Sequence, residues 1–153
     1  MTLRWTYLFI PLSVAVLATG CSKGDEPTTT TLHLIEHADT DVTQHVGGAN
    51  EKDSVGDILG FTNPLYDEKN ANKVGTDNGM CFRTEVGAAY ECFWTATLSG
   101  GQLTVEGRVY DGKDSVLAIT GGTGEFEQAR GQMALHPRNP QSTEYDFVYT
   151  IVK

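Results

Sequence analysis

From Glu144 to Val152 the chain alternates with a period of two: Tyr145, Phe147, Tyr149 and Ile151 share one face, Asp146, Val148, Thr150 and Val152 the other. One face is apolar and the other only weakly polar, so the strand needs cover on both sides. A closed barrel supplies that cover and also removes the sticky edges of an open sheet. Gly101 to Tyr110 repeats the signal, with Leu103, Val105, Gly107 and Val109 opposite Thr104, Glu106 and Arg108. Gly, Asn or Asp breaks the alternation every ten or so residues, roughly the spacing of a meandering antiparallel sheet. Strands are predicted near 32–38, 41–47, 55–61, 79–85, 90–98, 102–110, 115–120, 131–137 and 144–152. No long helical pattern occurs, and the fold expected is an all-β antiparallel barrel.

The amino terminus follows another rule. Met1 to Phe9 carries one positive charge, Arg4, and leads into the apolar run YLFIPLSVAVLA, which is short and interrupted by Pro11. Such a run suits a secretion signal better than a membrane span. It ends in Leu17-Ala18-Thr19-Gly20-Cys21, which resembles the bacterial lipobox. That resemblance implies removal of residues 1–20, a diacylglycerol on the Cys21 thiol, and an extracytoplasmic place on the cell envelope, anchored to the membrane by lipid. Residues 22–31, SKGDEPTTTT, read as a flexible tether. The domain is expected over 32–153, a length that supports a single core.

Removing residues 1–20 takes away only Arg4 and moves the formal net charge from −9 to −10 over 133 residues. A surface so acidic repels phosphate backbones and anionic lipid heads. Nucleic acid is therefore excluded as a partner, and the lipid must do the membrane work. With Cys21 set aside, Cys81 and Cys92 fall on neighbouring predicted strands joined by a short turn around Val86 to Ala89. A cross-strand disulfide is expected in an oxidising compartment; the alternative is two buried free thiols acting as small apolar residues.

The run AITGGTGEFEQARG, Ala118 to Gly131, has the glycines of a phosphate loop but lacks its Gly-Lys-Ser/Thr ending and its strand-loop-helix setting. It reads instead as a turn needing positive φ at glycine, followed by one or two helical turns from about Gly124 to Arg130 that tuck Phe126 and Ala129 against the barrel end. Extended to DSVLAITGGTGEFEQARGQM, Asp114 to Met133, the segment resembles the signature of plant allene oxide cyclases and dirigent proteins. GDILGFTNPLYD, Gly56 to Asp67, and VGTDNGMCFRT, Val74 to Thr84, resemble the corresponding parts of the cyclases in order and spacing. The resemblance spans Leu32 to Lys153. It implies an eight-stranded antiparallel barrel with an apolar cavity open at one end, assembled as a homo-trimer or homodimer. The partner it implies is a hydrophobic small molecule whose cyclisation or coupling the protein steers, as an isomerase or dirigent-type protein, with no cofactor.

Carried over residue by residue, the resemblance makes Glu36 the acid that faces positive charge developing during ring closure. Asn63 matches the residue that holds a water near the substrate oxygen, and Cys81 matches a pocket cysteine. Phe61, Pro64 and Val109 are placed in the ligand pocket. The family's second asparagine falls at Ala38 and its pocket tyrosine at Val109, so part of that machinery is absent. Independently of the family, Glu36 shares a strand face with Leu32, Leu34 and Ala38, where burial would raise its pKa toward acid–base use. His33 and His37 would lie about 13 Å apart on a strand, too far to share a metal. Asp111 and Asp114 fall in a turn and read as solvated; Trp94, beside Cys92 and Ala96, reads as packing.

Two classes of function follow: a stereo-directing cyclase or dirigent-type protein, and a non-catalytic envelope lipoprotein that binds an apolar ligand or serves as a scaffold. Fold alone does not choose between them. Replacing Cys21 with Ser should move the protein from the membrane fraction to the soluble one, since no other segment is apolar enough to hold it. Membrane retention of the processed Cys21→Ser chain in a fractionation would rule the anchor out.

Overall fold

The computed structural model describes residues 26–47 and 52–153. The signal segment and Cys21 lie outside the described residues. The strands, in chain order, are β1 (Thr29–His37), β2 (Val42–Gln44), β3 (Ile58–Asp67), β4 (Lys73–Glu85), β5 (Ala89–Leu98), β6 (Gly101–Tyr110), β7 (Ser115–Gly124), β8 (Arg130–Pro137) and β9 (Glu144–Val152). They form one sheet in the order β1-β9-β8-β7-β6-β5-β4-β3-β2, and a further β1–β3 pairing closes eight of them into an antiparallel barrel. The ninth, β2, lies beside β3 where β1 has left it: Glu36 pairs with Leu65, and Val42 pairs with Gly60. No helix occurs among the described residues.

Alternation drives this closure. Leu103 and Val105 on β6, Leu117 and Ile119 on β7, and Tyr149 and Ile151 on β9 point inward into one continuous core. Their neighbours in sequence face outward, as the period of two requires.

The ends of several elements differ from the sequence expectation. β1 begins at Thr29, inside the segment read as tether, because Thr29 to Thr31 pair with Val152 to Thr150 on β9. β3 runs on to Asp67 and β4 starts at Lys73, well beyond the expected 61 and 79, since the backbones of these polar stretches pair across the ladder. β2 is only three residues long. The glycine-rich run extends β7 to Gly124. Four-residue turns follow it, closed by Phe126 N–H to Thr123 O, Glu127 N–H to Gly124 O and Ala129 N–H to Phe126 O, at 3.1, 3.1 and 3.0 Å. These replace the expected helical turns, although Phe126 and Ala129 do plug that end of the barrel. Glycine is required there for space: a Cβ on Gly122 would sit 2.4 Å from Phe126 O, and Gly124 adopts φ +61°.

Cys81 and Cys92 face each other across β4 and β5, Cα to Cα 4.0 Å, and form a disulfide. Near it the Arg83 guanidinium ties loops at the barrel end where β4 finishes. Its Nη1 donates to both Asp111 oxygens at 2.8 Å, its Nη2 to the Tyr90 hydroxyl at 2.7 Å, and its Nε lies 2.6 Å from Asp53. Asp111, read as solvated from the sequence, is thus half of an ion pair.

Replacing Cys81 and Cys92 together with Ala should cost roughly 2–3 kcal/mol in urea unfolding, the loop-closure term for so short a loop. The unreduced folded chain should take up alkylating label at neither Cys81 nor Cys92. Labelling of both without reductant would show free thiols.

Candidate functional site

Inward-facing residues of seven strands meet near the barrel end where β1 finishes and β9 begins. Glu36 on β1 follows Leu34 inward; Asn63 and Phe61 on β3 alternate with the outward Thr62 and Pro64; Asp77 on β4 is the cross-strand partner of Asn63. With Trp94, Tyr145 and Phe147 they line a cavity of ≈ 70 Å³. Asn63, Asp77 and Trp94 form its buried depth, while Asp41 is exposed at the rim and Phe61, Val109 and Tyr145 are half-buried. Trp94 stacks on Phe147 with ring centroids 5.4 Å apart and meets the edge of Phe61 at 6.1 Å. Gly79 lets β4 approach β5 closely at Trp94, since a Cβ there would lie 2.3 Å from the Phe93 carbonyl oxygen and 2.4 Å from the Cβ of Trp94.

Of the residues expected in the pocket, Glu36, Asn63, Phe61, Cys81 and Val109 all line this cavity. Cys81 does so as half of the disulfide, with Cys92 beside it. Pro64 does not. It is one residue from Asn63, and the period of two turns it to the outer face of β3. Trp94 is packing, as read, and also cavity wall.

Asn63 organises the polar groups. Its Oδ1 accepts from the Thr40 N–H and lies 2.9 Å from the Thr40 hydroxyl. Its Nδ2 donates to Asp41 at 2.8 Å and also to Oε1 of Glu36. Glu36 Oε2 and both oxygens of Asp77 are buried and have no hydrogen-bond partner among the described residues. Burial therefore pushes the Glu36 carboxyl up from 4.5 to about 9, helped by the negative charges of Asp77 and Asp41, with the Asn63 hydrogen bond pulling back. Asp77 rises from 3.8 to about 8, again by burial first; a backbone N–H opposes the rise and Asp41 adds to it. Burial likewise raises Tyr149, whose hydroxyl has no partner, with Asp77 adding to the effect; the nearby Trp94 N–H, outside hydrogen-bonding geometry, pulls back. At neutral pH both Glu36 and Asp77 are protonated acids held against aromatic walls, able to give a proton or to become anions beside positive charge.

The family model for allene oxide cyclase matches residues 29–150. The chain belongs to the allene oxide cyclase family. Solved structures similar to it include a pyocyanin demethylase, 27% identical with TM-score 0.65, the match covering 78% of this chain and 100% of that one. A pterocarpan synthase dirigent protein is 21% identical with TM-score 0.65, the match covering 90% and 97%. An exo-specific intermolecular Diels-Alderase is 16% identical with TM-score 0.64, the match covering 84% and 99%. The last two establish the shared barrel alone.

In this family member the acid and amide expected from the sequence do share one cavity. Asp77 and Asp41 were missed. Asp77 lies four residues before Cys81 and so on the same strand face, a parity that would have placed it inside had the strand been extended back past Gly79. Asp41 reaches the site from a loop, where no period applies.

Unfolded, Glu36 and Asp77 ionise near their ordinary values; folded, they keep protons up to about 9 and about 8. Their contribution to stability is thus full at acid pH and is lost as pH rises toward those folded values. Glu36→Gln and Asp77→Asn should each gain about 1–3 kcal/mol on the unaltered chain at pH 7 relative to their difference at pH 4. Urea titrations at the two pH values check this, and a difference independent of pH would show ionised carboxylates in the native barrel.

Proposed function

We propose that the barrel binds a hydrophobic small molecule in the cavity between Glu36 and Trp94 and directs the stereochemical course of its cyclisation or coupling. The observation that carries the reading is the sharing of one aromatic-walled cavity by Glu36 and Asn63. Asn63 occupies Oε1 of Glu36, which leaves Oε2 as the oxygen that carries the proton. Donation from Oε2 to a ligand oxygen draws electrons toward that oxygen and leaves a carboxylate facing the positive charge that develops on carbon. The Asn63 N–H then stabilises that carboxylate. Trp94 and Phe147 restrict how a flat ligand lies, so its reacting ends meet from one side.

The pyocyanin demethylase, by its name an enzyme acting on a small molecule, supports a small-molecule site in this barrel. The lipid on Cys21 would hold the domain by the end at which β1 enters, and Glu36 lies seven residues along that strand, roughly 24 Å away, so the cavity would face away from the membrane. Ala38 and Val109, where the family has asparagine and tyrosine, favour a second reading in which the ligand is bound and released unchanged.

A native mass spectrum of the chain isolated from its own cells should show a bound apolar small molecule, lost in Glu36→Gln or Trp94→Ala. Incubation with a reactive precursor of that molecule, followed by chiral separation, should give one stereoisomer with the unaltered chain and a racemic mixture with Glu36→Gln. A racemic product from both would leave the binding reading. An empty spectrum at every concentration tried would overturn both.

A further inference from the structure

Three carboxyl side chains, Glu36, Asp41 and Asp77, line the cavity, and no Lys, Arg or His does. The two N–H bonds of Asn63 go to Glu36 and Asp41, so none is left for Asp77. Asp77 is fully buried, with both oxygens unpartnered. Arg83, the cation buried near this end, is already engaged by Asp53, Asp111 and Tyr90. The remaining wall is rich in aromatic rings: Phe61, Trp94, Tyr145 and Phe147. Unpartnered carboxyl oxygens set among π faces become, once ionised, complementary to positive charge spread over an apolar surface.

We infer that this cavity is a receptor for a flat organic cation, such as an N-alkylated heteroaromatic ring, which enters in exchange for a proton from the Glu36–Asp77 pair. The inference rests on the ligand cavity proposed above and names the charge of what occupies it. A molecule with permanent positive charge imitates the charge that the proposed reaction develops. The exchange balances: a carboxylic acid and a cation become a carboxylate–cation pair, and the proton goes to solvent. Aromatic faces add cation–π attraction, which is strongest where water is excluded. The cavity volume of ≈ 70 Å³ is under half that of an engineered apolar cavity of about 150 Å³ that takes benzene, so only the leading edge of a ring enters the depth and the rest of the ligand lies toward the Asp41 rim.

The source of the proton follows from what faces the pair. The β1–β2 loop brings Asp39 and Asp41, and β9 brings Tyr145 and Tyr149, both raised by burial and therefore protonated throughout the neutral range. The cavity-facing residues of β5, β6 and β8 are Cys92, Trp94, Val109 and Leu135, none of which titrates. Glu36 and Asp77, the buried carboxyls of the set and protonated up to about 9 and about 8, are the groups that release it. Cation affinity should therefore climb with pH and level off above that range, whereas a neutral ligand has no such slope.

N-methylpyridinium and toluene have the same shape and differ in charge, so the pair isolates the effect. The full chain is titrated with each by calorimetry from about pH 6 to pH 9, in two buffers of different ionisation heat, which counts protons released. N-methylpyridinium should bind at least about tenfold tighter than toluene at pH 8, gain close to tenfold per pH unit below that, and release about one proton at pH 7. Asp77→Asn should weaken the cation about tenfold or more; if that variant fails to fold, the proton count of the unaltered chain decides alone. Toluene binding as tightly as the cation, or cation binding without proton release, overturns the inference and leaves the apolar cavity standing. Failure of both probes to bind overturns the inference and the ligand cavity together.

Discussion

Asn63 sits where β3 changes partners. β1 pairs with Leu65 to Asp67, β2 with Ile58 to Gly60, and the stretch between them has no strand on that edge, β4 lying along the other. Thr40 fills that gap: its hydroxyl accepts from the Thr62 N–H and lies 2.9 Å from the Thr62 carbonyl, while its own N–H reaches Asn63. The other half of the amide then holds Glu36 and Asp41. One side chain thus closes the barrel seam and gathers the acids, using its acceptor on one task and its donors on the other. Any residue without both functions would leave buried acceptors on one side or a broken seam on the other, and either is costly away from water.

That arrangement keeps acids inside an apolar barrel at a standing cost. Glu36 and Asp77 stay neutral because burial makes their charged forms expensive, and the remaining unpartnered oxygens are not relieved by any described neighbour. The surrounding structure is correspondingly firm: a disulfide joins β4 to β5 in the cavity wall, and the Arg83 ion pairs tie the loops at the same end. Strain at a site is sustained by such over-determined surroundings. The opposite end is closed by Phe126 and Ala129 with glycine-enabled close packing and carries no buried acid.

The barrel was legible because two-sided alternation is a physical demand that few folds meet. Tyr145 to Val152 and Leu103 to Val109 alternate between an inner and an outer face, and Phe147, Tyr149, Ile151, Leu103 and Val105 are buried inside the closed sheet. Glu36, Asn63 and the Cys81–Cys92 pair were legible by the same parity together with the family resemblance. The resemblance was what misplaced Pro64, since parity with its neighbour Asn63, which occupies the inner face, turns it outward. The strand ends between Thr62 and Asn78 were hidden because the polar residues there pair through their backbones across the ladder, a condition that hydrophobic period cannot register.

Asp77 shows why that blind spot falls at the site itself. Strands are recognised in sequence by apolar alternation, so an inward position occupied by a carboxyl reads as the end of a strand. β4 was accordingly expected to start at Gly79, two residues too late to include the residue that most alters the cavity's chemistry. A barrel whose interior performs chemistry must break its own pattern where the reacting groups stand. The inner face of β4 runs Gly75, Asp77, Gly79, Cys81, and each departs from a large apolar residue for a local reason: backbone approach at Gly75, an acid opposite Asn63, close approach to the β5 backbone at Gly79, and the bond to Cys92. The least strand-like stretch of the barrel wall is therefore the one that forms one side of the site, and an interruption in alternation flanked by strands of matched parity is the signal that would find it.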